Sequence, residues 1–140
     1  MDMTRGGTAA FVFVLAGACA SAPVTARNDR RVSTGDWGGE HIQMTVTASG
    51  AHLEFDCASG DIATPLVVDE TGQLTIEGVY IPERPGAVRI GDEPDRKAVR
   101  YSGRLAEKTL VLDVTLIESK DTIGHFTMTL DLAARVRKCR

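Results

Sequence analysis

The 140-residue chain is poor in the residue types that usually carry chemistry. It has three histidines, and a zinc or copper site needs at least two of them within a few ångström of each other. His41 and His52 fall on two runs that read as one hairpin, at opposite ends and about 20 Å apart at roughly 3.3 Å per strand residue, and His125 faces outward. No metal ligand set follows. There is no Gly-x-Ser-x-Gly elbow and no Ser-x-x-Lys pair, and Ser102 in Tyr101-Ser102-Gly103 lies mid-strand, facing solvent. Gly38-Gly39 has no helix after it and cannot cradle a phosphate. The acidic turns Asp69-Glu70 and Asp92 to Asp95 lack the alternating oxygen spacing of a calcium loop. Neither a cofactor nor a metal is expected, and the formal net charge of −3 gives no attraction to nucleic acid.

Long apolar runs are also missing. The one uncharged apolar stretch, Thr8 to Ala18, follows the single cation Arg5 and is too short for a membrane span, which needs about 20 residues. Its length and position predict an export signal over residues 1–20. Two processing routes are open. Ala18-Cys19-Ala20 fits the small-x-small pattern of general signal peptidase, whereas Ala16-Gly17-Ala18-Cys19 resembles a bacterial lipobox in which Cys19 is lipidated. The expected location is periplasmic or extracellular, with membrane contact only through a lipid on Cys19. Removing residues 1–20 takes away one acid, Asp2, and one base, Arg5, so the net charge stays at −3.

Residues 21–34 show no periodicity and read as a flexible lead-in, leaving one domain over 35–140. If Cys19 belongs to the signal or carries lipid, the domain holds two cysteines, Cys57 and Cys139, an even number in an oxidising compartment. They are expected to pair, closing a loop of about 80 residues worth on the order of 4 kcal/mol in the chain-entropy model. The basic residues Arg135, Arg137, Lys138 and Arg140 are read as a solvated end.

From Trp37 onward, short runs alternate apolar and polar residues and are broken by Gly and Asp, as strands do. Turning through Ser49-Gly50 pairs Val46 with Leu53, Met44 with Phe55 and Ile42 with Cys57, all on one face. Asp69 to Gly72 has the form of a type I turn with a bulge and sets Val68 against Leu74 and Leu66 against Ile76. Ala106 to Thr109 returns Val99, Tyr101 and Leu105 onto Leu110, Val114 and Leu116. Glu118 to Asp121 folds Leu110, Leu112 and Val114 onto Phe126, Met128 and Leu130. A short strand is expected near Ala87 to Ile90 and a helical turn in Ala133 to Lys138. About eight strands with one apolar face each predict an all-β, antiparallel up-and-down barrel, with a β-sandwich as the alternative.

Gly35-Asp36-Trp37, just before the first strand so read, resembles the Gly-x-Trp that opens lipocalin and related calycin barrels. The resemblance implies that Trp37 plugs the closed end and that Arg135 or Arg137 covers it. The chain is shorter than a typical lipocalin and shows no long loop over a mouth except Pro82 to Arg96. Trp37-Gly38-Gly39-Glu40-His41, Glu54 to Ala58, Tyr101-Ser102-Gly103 and Lys138-Cys139 together are similar to a type of small exported bacterial β-domain, which brings no activity with it.

The expected function is a non-enzymatic binding or accessory module of the bacterial envelope, acting as a monomer on a small apolar ligand or a protein partner. Trp37, His41, Tyr101 and Phe126 are the residues expected to make the contacts. The inward set is mostly medium aliphatics, so the interior is expected to be largely filled. The alternative is a hydrolase in which His41, supported by Asp36, Glu40 or Asp56, acts as general base.

Overall fold

The computed structural model describes residues 30–139 and, before them, Gly17. The rest of the expected export segment, with Cys19, and residues 21–29 lie outside the described residues. Eight strands run in sequence order around a closed antiparallel barrel: β1 (Gly35–Gly39), β2 (Ile42–Val46), β3 (Ala51–Phe55), β4 (Ala58–Ile62), β5 (Gln73–Pro82), β6 (Lys97–Ala106), β7 (Thr109–Leu116) and β8 (Thr122–Leu130). The barrel closes where Trp37 of β1 lies opposite Leu130 of β8. There is no helix among the described residues. The architecture is the expected up-and-down barrel and not the sandwich.

Alternation decides which face is buried. In β2 the side chains of Ile42, Met44 and Val46 are buried while Gln43 and Thr45 are exposed, and β3 repeats the pattern with Ala51, Leu53 and Phe55. Across β6 and β7 the expected register is found, with Val99 opposite Leu116, Tyr101 opposite Val114 and Leu105 opposite Leu110. Across β7 and β8 the pairs are instead two residues from the expected ones: Leu110 meets Met128, Leu112 meets Phe126 and Val114 meets Gly124, while Leu130 pairs with Trp37 of β1.

Other expectations need correction. The β2–β3 pairs are two residues out: Met44 lies opposite Leu53, Ile42 opposite Phe55 and Val46 opposite Ala51. The turn is tighter than expected, its Thr47 N–H donating to the Gly50 carbonyl at 2.9 Å. A shift of two keeps every side chain on its own face, so the core survives the error. In this register His41 lies four residues beyond Thr45, the partner of His52, or about 13 Å along the strand direction. Cys57 sits in the two-residue β3–β4 turn instead of in a strand, and Trp37 lies inside β1, not ahead of the sheet.

The turn over Asp69 to Gly72 forms as expected: Gly72 N–H donates to the Asp69 carbonyl at 3.0 Å, and the Asp69 carboxylate accepts from the Thr71 and Gln73 N–H groups. Its first arm nevertheless does not pair with β5. Leu66 to Val68 runs antiparallel to Arg30 to Val32, with Val32 N–H donating to the Leu66 carbonyl and Val68 N–H to the Arg30 carbonyl. The side chains of Val32, Leu66 and Val68 are buried and plug one end of the barrel. Ala87 to Ile90 forms no strand, and Ala133 to Lys138 is extended instead of helical.

After β8 the chain doubles back as a strap from Asp131 to Cys139 across the outside of β1. A side chain at Gly38 would run into the backbone of Leu132 to Ala134, so only glycine lets the strap lie this close. Arg135 N–H donates to the Gly39 carbonyl at 3.0 Å, His41 N–H to the Arg135 carbonyl at 2.8 Å and Cys57 N–H to the Arg137 carbonyl at 3.2 Å. The expected disulfide joins Cys57 to Cys139, 82 residues apart. It fixes the strap's far end beside the β3–β4 turn.

Candidate functional site

The two ends of the barrel differ. One is stoppered by Val32, Leu66 and Val68; the other is ringed by the turns Glu40-His41 and Asp56-Cys57, the loops 83–96 and 117–121 and the end of the strap. Ile42, Phe55, Ala58 and Val99 are buried near that second end, but four apolar residues around them are not. Tyr80, Leu116, Ile123 and Phe126 pack against the core yet keep partial exposure. They form a mouth.

Aromatic packing shapes the mouth floor. The Phe55 ring is buried between Tyr80, at a centroid distance of 5.4 Å, and Phe126, at 5.1 Å, both tilted as aromatic pairs prefer. A side chain on Gly124 would collide with the Phe126 ring, which leans along β8 towards the mouth because that position is empty. Burial raises the Tyr80 hydroxyl above its ordinary pKa, so it stays neutral at any physiological pH.

Loop 83–96 stands beside the mouth and encloses a cleft of about 460 Å³ with Ile81, Pro82 and Cys139. Its proline and glycine content denies it a ladder partner. Val88 is 81% exposed and Ile90 fully so, which leaves two aliphatic side chains in water beside an apolar opening.

The four residues expected to make contacts separate into three situations. Trp37 is 1% exposed, and its indole N–H donates to the Ser33 carbonyl at 3.0 Å. Tyr101 is wholly buried; its ring lies over Gly78 and its hydroxyl donates to the Val79 carbonyl at 2.8 Å beside Gly60. Both are core residues. Phe126 is at the mouth, and His41 is at the rim, on the turn beside it. Neither arginine covers Trp37: Arg135 is exposed and pairs with Glu40 at 3.2 Å, and Arg137 acts through its backbone.

His41 holds Asp56, Nδ1 to Oδ2, at 2.5 Å. The other Asp56 oxygen accepts the Arg137 N–H at 2.6 Å, and this bond, ahead of the contact with His41, depresses the Asp56 pKa. Asp36 accepts from the Thr45 hydroxyl at 2.7 Å and Glu40 from Arg135, so neither supports His41. No hydroxyl or thiol nucleophile bonds to His41 among the described residues. The pair holds the strap to the β3–β4 turn through Asp56.

His52 and His125 are likewise tied to carboxylates. His52 Nδ1 meets Asp61 at 2.7 Å and Nε2 meets Glu54 at 2.8 Å, and the Asp61 bond, then the Glu54 bond, raises the His52 pKa. His125 pairs with Asp113 across β7 and β8. Because each ring nitrogen of His52 holds a different carboxylate, the three groups do not converge on a point, and no cluster of metal-binding geometry occurs among the described residues.

Comparison with protein-family models, curated proteins and solved structures finds no match to this chain. Sequence reasoning missed Tyr80, Leu116 and Ile123, which flank the two longest loops at this end. The signal was present in the apolar run Val79 to Pro82 leading into a Pro- and Gly-rich segment, the sequence form of a strand that ends at an open rim.

Proposed function

We propose that the protein is a non-enzymatic binding module of the bacterial envelope whose mouth takes a small apolar ligand. One observation carries the reading: one end of the barrel is stoppered while the other keeps Tyr80, Leu116, Ile123 and Phe126 partly exposed beside a loop that holds Val88 and Ile90 in water. Exposed aliphatics next to an apolar opening lower their free energy by covering, at about 25 cal/mol per Å² removed from water. Fully buried Phe55, Leu53, Tyr101, Leu112 and Val114 occupy the interior, so the ligand sits at the rim and under the loop, not deep inside.

Export, with processing before or after Cys19, remains part of the proposal. The disulfide between Cys57 and Cys139 supports it, since such bonds persist in oxidising compartments.

Titration of the 15N-labelled protein with decanol, a neutral single-chain alcohol, tests the mouth. Amide shifts confined to β5, β8 and loop 83–96 are expected, with the affinity of Phe126→Asp about tenfold weaker or worse. No shifts, or shifts spread over the whole barrel, would refute the reading.

A further inference from the structure

The bond between Cys57 and Cys139 stands outside the core. Cys139 is exposed and Cys57 half-buried, and the buried core includes neither cysteine nor any residue of the strap. Leu132 is 55% exposed, and Ala134 and Val136 are only partly covered. Ring closure runs through β1 and β8, so the eight strands fill and close the barrel without residues 131–139.

What the bond does hold is one wall of the cleft beside the mouth. Cys139 lines that cleft with Ile81, Pro82, Glu83 and further residues of loop 83–96. Glu83, where the loop leaves β5, is gripped from both sides of the disulfide: its N–H donates to the Cys57 carbonyl at 2.8 Å, and its carboxylate accepts from Lys138 Nζ at 2.8 Å. The Cys57 N–H donates to the Arg137 carbonyl at 3.2 Å, and the Arg137 N–H to Asp56 at 2.6 Å. Apart from the disulfide, the ties on residues 137–139 are hydrogen bonds and ion pairs, and the Lys138 side chain that makes most of them is 41% exposed. Ion pairs so open to water hold little by themselves.

We infer that this disulfide is a reducible latch on the cleft, opened by a dithiol. The inference rests on the mouth as the binding site. In the exchange a thiolate of the dithiol attacks the exposed Cys139 sulfur, the S–S bond breaks, and Cys57 leaves as a thiolate that takes up a proton. The second thiol then displaces Cys139, also as a thiol. Two electrons and two protons pass to the protein, and the dithiol becomes a disulfide. With the tail free beyond Arg135, the cleft loses Cys139 from its wall and Glu83 loses Lys138, so the loop no longer holds a ligand against the mouth. Arg135 keeps its backbone bonds to Gly39 and His41, and the barrel stays closed. The oxidised chain is the binding form and the reduced chain the releasing form.

Dithiothreitol tests this on the intact chain. On reduction of the 15N-labelled protein, the Cys57, Glu83 and Arg137 amides should exchange with solvent about tenfold faster, while those of β2, β3 and β7 keep their protection. Decanol affinity should fall about tenfold and return on reoxidation. Cys139→Ser should match the reduced chain whether or not the reagent is present. Decanol binding that is equal in the oxidised and reduced chains would overturn the latch alone, whereas an oxidised chain that binds no decanol would overturn the mouth and the latch together. A barrel that unfolds on reduction, or a disulfide that dithiothreitol leaves intact in the folded protein, would also overturn the latch.

Discussion

Tyr101 lies across the barrel because two positions beneath it have no side chain. Its ring covers Gly78, and its hydroxyl passes Gly60 to reach the Val79 carbonyl. Burial raises its pKa beyond any physiological range, so the hydroxyl is a permanent donor. Tyr101→Phe keeps the packing and removes the hydroxyl's hydrogen bond to the part-buried Val79 carbonyl. The expected cost is about 1–2 kcal/mol, read as a lower urea midpoint at unchanged slope. A stability within error of the wild type would mean that water reaches Val79. At this scale the sequence was only partly legible. That Tyr101 faces inward followed from parity, but Gly60 sits in Ala58-Ser59-Gly60-Asp61-Ile62, whose weak alternation hid the strand. Trp37 and Tyr101 passed for contact residues because aromatic type alone does not separate a core ring from an exposed one.

The strap from Asp131 to Cys139 is an element without regular structure that the rest of the chain holds in place. Lys138 donates to the Ala58 carbonyl at 3.0 Å and to Glu83 at 2.8 Å, and it pairs with Glu54. Burial alone would raise the Glu54 pKa, but Lys138 and then His52 outweigh it, and the value is lowered. Asp56 is lowered too, chiefly by the Arg137 N–H. A carboxylate with a depressed folded pKa stabilises the fold above its unfolded pKa, near 4, and loses that contribution as pH falls through the folded value. Asp56→Asn should therefore melt below the wild type at pH 7, and the gap should narrow as pH falls from about 4 towards 2. A gap that is constant with pH would remove Asp56 from the strap's anchorage. The elements themselves were legible where alternation was strong and turns were short, as in Val99 to Leu116. They were illegible where distant pairing decided the outcome. Leu66 to Val68 has the right alternation and the right turn for β5, yet Arg30 to Val32 captures it, and no local pattern weighs that competition. Val88 and Ile90 alternate like a strand but find no neighbour to bond.

At the scale of the whole molecule, the prediction concerns processing. The mature chain should begin after Ala20, or at a lipid-bearing Cys19, and should titrate no free thiol from Cys57 or Cys139. Intact-mass measurement of material recovered from the envelope checks both. A full-length chain retaining Met1 to Ala20, or two free thiols, would place the protein elsewhere. The barrel class was legible because the whole set of apolar faces had to be buried together, and neither a two-residue register error nor two missed strands changes that requirement.

The seam between β1 and β8 joins Trp37 to Leu130, and the last covalent link, at Cys139, lies later still. The first strand must therefore wait until residues 128–130 have been made before it can find its closing partner. Until then the ring stays open between Gly39 and Met128.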